Sequence, residues 1–465
     1  MKTLSRRAMV LYLMAIAFLV GAGILLYTFF SNADSWAMKR TNRHIYKSGV
    51  LSTAGTITDR SGAVLAETVD GKRVYNNSKN VRIATMHIVG DSQGYISTGI
   101  QTAYNDVLTG YNLVDGVYTL KKYGKGSDIR LSINAELCTA AYEALGKNKG
   151  AVGVYNYKTG ALLCVVSKPS YDISNKPVES INNDTTGEFD GVYLNRFFSG
   201  VYTPGSTFKI ITSACAIENI EDIDSQSFKC TGEYKVGGGS VKCMGKHGTL
   251  GFEKALNVSC NSAFADIAVQ LGAEKLTATT TTLGFGTSYR IGNINLAKSR
   301  FDLSEASDLD VGWAGIGQYK TLVNPCHMLT IIGAIANGGT SPAPYVIESI
   351  TSPAGDNTYT ASTQMMAPMF AETTAQRLQE LLRSNVVNYY GEGKFSGLKM
   401  CGKTGTAEVS SEEGGKDPHA WFVGYSQRED LPLAIVVVVE NGGGGSSVAI
   451  PVASKTMQKA AKIFG

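Results

Sequence analysis

The sequence predicts an α+β fold, an antiparallel sheet with helices packed against it, behind a small membrane-proximal domain and one N-terminal transmembrane helix. Three observations predict it. An uncharged run fills residues 8–30, strand-like segments cluster near residues 151–166 and again at 398–439, and the text from about Gly205 to Asn337 is largely helical, with one more helix closing the chain. Strands and helices that occupy separate stretches favour antiparallel pairing over alternating β-α-β units. The 465 residues leave room for two or more domains, and 43% apolar with 18% charged residues is ordinary globular composition. A net charge of +4 is unclustered, with no basic stripe interleaved with aromatics, so no nucleic acid is expected as a partner.

Lys2, Arg6 and Arg7 precede the run from Ala8 to Phe30, which as a helix at about 1.5 Å per residue is long enough to cross a bilayer core. A cleavable signal peptide has a shorter apolar region, about 7 to 15 residues, and the best small-residue site, Gly21-Ala22-Gly23, lies inside the run; we read an uncleaved anchor. Lys39, Arg40 and Arg43 follow on the other side, so charge orients the span poorly. Residues 1–7 are then a cytoplasmic tail, 8–30 the anchor, 31–123 the membrane-proximal domain and 124–465 the main domain.

Within the membrane-proximal domain, Gly55 to Thr68 alternates apolar and polar residues around Arg60-Ser61-Gly62, as a hairpin does. A short strand at Asp128–Ile133 and an Ala-rich helix at 135–145 follow. Ala151–Tyr155 and Ala161–Val166 flank a turn, Asn156 to Gly160, that contains Lys158-Thr159-Gly160. The tripeptide recurs at Lys403-Thr404-Gly405, ahead of an aromatic strand at 419–425 and a valine-rich strand at 433–439. The glycines at 442–445 lack the Gly-Lys-Ser/Thr ending of a phosphate loop and are read as a flexible connection to a helix at 451–463.

The candidate chemistry starts at Tyr202-Thr203-Pro204-Gly205-Ser206-Thr207-Phe208-Lys209, a turn running into an apolar helix with Ser206 and Lys209 three residues apart on one face. At a helix start the dipole favours a developing oxyanion, and burial favours a neutral lysine able to take the serine's proton. Roughly two chance Ser-x-x-Lys matches are expected in a chain of this size; Ser396-Gly397-Leu398-Lys399, with no apolar helix after it, is read as one. Four Ser-x-Asn matches exist, at Ser78, Ser132, Ser180 and Ser259; only Ser259-Cys260-Asn261 lies in the helical middle, where a short break between helices would aim both side chains at Ser206. A serine, two lysines and a small polar relay can acylate and deacylate a carbonyl substrate without histidine. His44, His87, His247, His327 and His419 are accordingly read as structural or surface residues. No Cys-x-x-Cys or His-Glu-x-x-His spacing suggests a metal, and no cofactor is expected. Cys230 and Cys243 bracket a Gly-rich loop; in an oxidising compartment a disulfide there would contribute about 3 kcal/mol, and the sequence leaves open whether it forms.

Ser-x-x-Lys, a Ser-x-Asn and Lys-Thr-Gly, in this order, resemble the motif set of penicillin-binding proteins and class A β-lactamases. The whole chain resembles a class B penicillin-binding protein, the membrane-anchored D,D-transpeptidase type. Asp59-Arg60-Ser61-Gly62, Gly315-Ile316-Gly317-Gln318 with Asn324-Pro325, Ala336-Asn337-Gly338-Gly339 and Trp421-Phe422-Val423-Gly424 carry the likeness further. Two departures stand out: Cys260 fills the middle of the second motif, and the segment from Ser31 to Tyr123 is short for the group. The resemblance implies a penicillin-binding, serine β-lactamase-like transpeptidase domain with Ser206 as acylated nucleophile and Lys209 as its general base. It implies that Ser259 passes a proton to the departing D-alanine and Asn261 holds Lys209 and the substrate amide. Lys403 would supply positive charge, Thr404, Gly405 and Thr406 would bind the terminal carboxylate, and the backbone N–H groups of Ser206 and Thr406 would form the oxyanion hole. Implied partners are peptidoglycan stem peptides ending in D-Ala-D-Ala, β-lactams as covalent inhibitors, and a polytopic membrane glycan polymerase, with the catalytic domain extracytoplasmic. The alternatives are a D,D-carboxypeptidase or β-lactamase on the same fold, or a non-catalytic β-lactam-binding scaffold. Efficient β-lactam hydrolysis is disfavoured, because no Glu-x-x-x-Asn segment lies between Asn261 and Lys403.

Overall fold

The computed structural model describes residues 2–37, 46–47, 50–51, 53–111, 123–408 and 417–465; Lys39, Arg40 and Arg43 lie outside the described residues. Helix α1 (Lys2–Ala37) contains a stretch, Arg6–Ala33, of mean hydropathy 2.6 with none of its most apolar window buried in the protein. Leu11, Phe18 and Leu25 are all exposed. Such a surface is stable in lipid rather than water, consistent with a single-pass anchor.

Strands β1 (Ile57–Thr58), β2 (Val64–Val69) and β3 (Lys72–Tyr75) open the body of the protein. The expected hairpin is present: Ile57 faces Ala66, and Asp59 Oδ1 organises the turn by accepting from Ser61 N (2.8 Å) and Ala63 N (2.9 Å). The other oxygen of Asp59 accepts from Ala135 N at 2.9 Å, at the start of helix α2 (Ala135–Ala144). Strand β4 (Asp128–Leu131) runs parallel to β1, with Ile57 opposite Ile129. Strands β5 (Gly150–Asn156) and β6 (Leu162–Lys168) form the next hairpin, whose turn holds the first Lys-Thr-Gly; Asn156 Oδ1 accepts there from Lys158 N at 2.9 Å.

Helices α3 (Lys209–Asn219), α4 (Asn261–Thr282) and α5 (Pro325–Ala336) fill the middle of the chain. Two small ribbons interrupt that expected helical stretch: Ser227–Cys230 pairs with Gly248–Gly251, and Glu233–Val236 with Gly239–Lys242. Their signal was the alternation at Ser227 to Cys230, where Phe228 and Cys230 are buried between exposed neighbours. Strands β7 (Ile347–Thr351) and β8 (Asn357–Thr360) then return to the first sheet, giving a six-stranded order 8-7-4-1-2-3 that draws strands from both sides of residue 124.

Strands β9 (Met400–Ala407), β10 (His419–Ser426) and β11 (Leu433–Val439) complete the second sheet, five strands in the order 9-10-11-5-6, with every pair antiparallel. Its centre is β11, every residue of which is buried. That burial requires cover on both faces, which explains its unbroken apolar text: α5 packs on the sheet, as does the closing helix α6 (Ile450–Phe464) beside α2. The lone edge that faces the helical middle is β9, which carries Lys403-Thr404-Gly405.

Candidate active site

Ser206 sits in a short 3-10 turn, Gly205–Thr207, ahead of α3, one step earlier than the expected first turn of the α-helix. The turn is locked by backbone. Gly205 adopts φ +52 and donates its N–H to Gly317 O at 3.0 Å, and Thr207 Oγ1 donates to Pro204 O at 2.8 Å. A Cβ on Gly205 would lie 2.5 Å from Thr406 O, and one on Gly317 2.2 Å from Gly205 O. The serine's backbone is therefore wedged between β9 and the Gly315–Gly317 segment with no space for side chains. Trp421 Nε1 donates to Thr203 O at 3.0 Å, tying the same turn to β10.

Four of the expected residues meet Ser206 or one another through a continuous set of hydrogen bonds. Lys209 Nζ lies 3.1 Å from Ser206 Oγ and donates to Asn261 Oδ1 (2.7 Å) and to the carbonyl of Ser259 (2.8 Å). Ser259 Oγ stands between the two lysines, 3.2 Å from Lys209 Nζ and 2.9 Å from Lys403 Nζ. The break that places it, between helix Phe252–Asn257 and α4, holds Ser259 at φ +54, a left-handed conformation costing about 1–3 kcal/mol for a residue with a side chain.

Both lysines are fully buried, and their partners are uncharged oxygens. Burial first, and the neighbouring Lys403 second, hold Lys209 well below the ordinary lysine value. Burial lowers Lys403 to about 7. A neutral Lys209 amine has two N–H groups, and Asn261 Oδ1 with the Ser259 carbonyl use both. Its lone pair then faces the Ser206 hydroxyl, the geometry of a base.

The carboxylate-binding candidates divide. Thr406 is exposed, and its Oγ1 accepts from Gly445 N at 3.3 Å. Thr404 is buried, with its Oγ1 3.0 Å from Tyr390 Oη. Gly405 has no room for a side chain: a Cβ would meet Pro204 O at 2.7 Å. Tyr390 was not singled out in the sequence; its hydroxyl accepts from Thr404 N (3.1 Å) and from Lys403 Nζ (3.5 Å), and it comes from a π-helical turn, Asn385–Tyr390, with no motif of its own. Within the glycine run expected as a flexible connection, the last glycine is held in place. Gly445 packs so closely on β9 and β10 that a Cβ would lie 2.5 Å from Gly405 O and 2.7 Å from Trp421 O. All eight cysteines, Cys230 and Cys243 included, are free thiols.

Known proteins share this arrangement. Residues 150–458 match the family described as the penicillin binding protein transpeptidase domain. Over 94% of its length the chain is 27% identical to the peptidoglycan D,D-transpeptidase PbpA of Mycolicibacterium smegmatis, covering 93% of that protein. The crystal structure of the D,D-transpeptidase domain of a peptidoglycan glycosyltransferase from Eggerthella lenta superposes with a TM-score of 0.77 at 29% identity, over 89% of this chain and 99% of that one. Penicillin-binding protein A of M. tuberculosis, solved as its penicillin G acyl-enzyme, gives 0.77 at 25% identity, over 88% and 99%. With the family matched over most of the chain and the site's three motifs joined by hydrogen bonds, the protein belongs to the penicillin-binding protein transpeptidase family, as a class B member.

Proposed function

We propose that the chain is a peptidoglycan D,D-transpeptidase working through a Ser206 acyl-enzyme. One observation carries the proposal: Ser206 Oγ, Lys209 Nζ, Ser259 Oγ and Lys403 Nζ form an unbroken path with steps of 3.1, 3.2 and 2.9 Å. Neutral Lys209 takes the proton of Ser206 as Oγ attacks the carbonyl carbon of the penultimate D-alanine. The negative oxygen that results is met by the backbone N–H groups of Ser206 and Thr406, where a lost donor costs about 10²–10³ in rate. Ser259 relays the proton to the leaving nitrogen, and free D-alanine departs. An amine of a second stem peptide then attacks the ester, losing a proton along the same path, and Ser206 regains its hydrogen. Lys403 and the exposed Thr406 hydroxyl hold the terminal carboxylate, with Thr404 positioned beneath by Tyr390. Asn261 orients Lys209.

The substrate places the catalytic body outside the membrane, with α1 as its tether. A polytopic glycan polymerase is the partner we infer, on the family resemblance alone. The test is to incubate the full chain in detergent with a fluorescent penicillin, beside Ser206→Ala. A stable adduct on the parent alone is expected by intact mass. Hydrolysed drug without adduct would identify a β-lactamase instead, and intact drug without adduct in membranes as well as detergent would identify a scaffold.

A further inference from the structure

Behind the second motif, three thiols and an imidazole converge. Cys230 Sγ and Cys243 Sγ each lie 3.5 Å from His247 Nδ1, Cys243 Sγ is 3.9 Å from Cys260 Sγ, and all four atoms fall within 4.8 Å of one another. Zinc bonds sulfur at about 2.3 Å and nitrogen at about 2.0–2.1 Å, so the edges of its tetrahedron are about 3.8 Å between sulfurs and about 3.6 Å between sulfur and nitrogen. A disulfide needs sulfurs about 2.05 Å apart. The spacing fits a shared ion and is too wide for a covalent pair.

The surroundings suit thiolates. Asn261 N donates to Cys243 Sγ at 3.3 Å and Ala263 N to Cys260 Sγ at 3.5 Å, both from the first turn of α4, where the helix dipole favours negative charge. Ser262 Oγ, a hydroxyl able to donate to a thiolate, lies 3.4 Å from Cys230 Sγ, and the carbonyl of Gly245 lies 3.4 Å from the same sulfur. Cys230 and Cys260 are buried, while Cys243 and His247 are half-buried and give an ion a way in.

We propose that Cys230, Cys243, His247 and Cys260 form a structural site for zinc or a similarly thiophilic divalent cation, which clamps the ribbon of residues 227–251 to the head of α4. Four protein ligands close the tetrahedron and leave no position for substrate, so the role is positional. Cys260 lies between Ser259 and Asn261, and the ion therefore fixes the backbone that aims both at Lys209. The free energy of binding offsets the left-handed strain at Ser259. The sequence concealed the site because its ligands come from a ribbon and a helix start rather than from one Cys-x-x-Cys knuckle.

The test reads metal, independently of whether Ser206 is acylated. The full chain, purified in detergent with a thiol reductant and no chelator, is expected to carry about one zinc per chain. Cys243→Ser and His247→Ala are each expected to lose it. Apo protein titrated with Co²⁺ alone is expected to show the intense visible absorption of a tetrahedral thiolate complex. Three results would overturn the proposal: zinc-free protein in which Cys243 and Cys260 resist alkylation and the mass is two hydrogens lighter, zinc-free protein giving only the weak spectrum of octahedral cobalt, or stoichiometric zinc that survives both substitutions. Should the variants fail to fold, the cobalt spectrum of the parent decides.

Discussion

Lys209 and Lys403 share one hydroxyl, that of Ser259, and among the described residues neither is paired with a carboxylate. Two ammonium groups so close and so dry repel, which is why one of them is available as a base. The pH profile follows. As pH falls, Lys209, held well below the ordinary lysine range by burial and by Lys403, takes up its proton and acylation should slow; above about 7 Lys403 loses the charge proposed to attract the carboxylate, and acylation should slow again. The second-order acylation constant, which reports the free enzyme, should be bell-shaped. Lys403→Arg keeps its charge at alkaline pH and should move the descending limb upward; an unmoved limb would show that Lys403 is not its source. Stability has its own sign. The folded site releases the Lys403 proton near 7 and the unfolded chain keeps it until the ordinary 10.5, so between these values the unfolded state binds more protons and stability rises with pH.

Among the elements, the turn at Ser206 is held by absent side chains more than by present ones. Gly317→Ala combines φ +78 with a Cβ 2.2 Å from Gly205 O, and the turn must move. A displacement near 1 Å is enough to slow acylation about 10²-fold. Gly338→Ala is the control: φ is +76, but no atom lies within 4 Å of the new Cβ. It should cost about 1–2 kcal/mol in melting experiments and leave the acylation rate unchanged. Much of the site was legible at this scale, because spacing along one helix turn and the order of three short motifs are one-dimensional properties. Tyr390 and Gly445 were not, since each reaches the site by a contact between separate segments. The close packing of Gly445 was hidden for the same reason: glycine marks both open turns and close approach, and only the neighbour, here Gly405, tells them apart.

On the scale of the whole molecule, strands β5, β6, β10 and β11 were visible as apolar or aromatic runs and β9 only through its Lys-Thr-Gly, yet the pairing of Ile57 with Ile129 across about seventy residues was not, because no turn fixes its register. That pairing decides what can be cut away. A chain beginning at residue 124 loses β1 to β3, uncovers Ile129 and Leu131, and removes Asp59 from the start of α2. Burial of Ile57 and Leu65 alone is worth about 3–6 kcal/mol. The fragment from residue 124 should aggregate, or melt well below a fragment from Thr53; equal melting temperatures would show the two parts to be independent.

The five-stranded sheet has a consequence in time. Its middle strand, β11, is among the last segments to be synthesised, while its partner β5 is made early. Until β11 arrives the sheet is two unjoined pieces, and long-range closure of this kind is slow. Lys403 enters the cleft on β9, just before that closure. The growing chain therefore carries Ser206 and Lys209 before the strand that completes their site. The complete site can form only once β9 to β11 have been made, so a chain cut short before residue 400 should take up no penicillin.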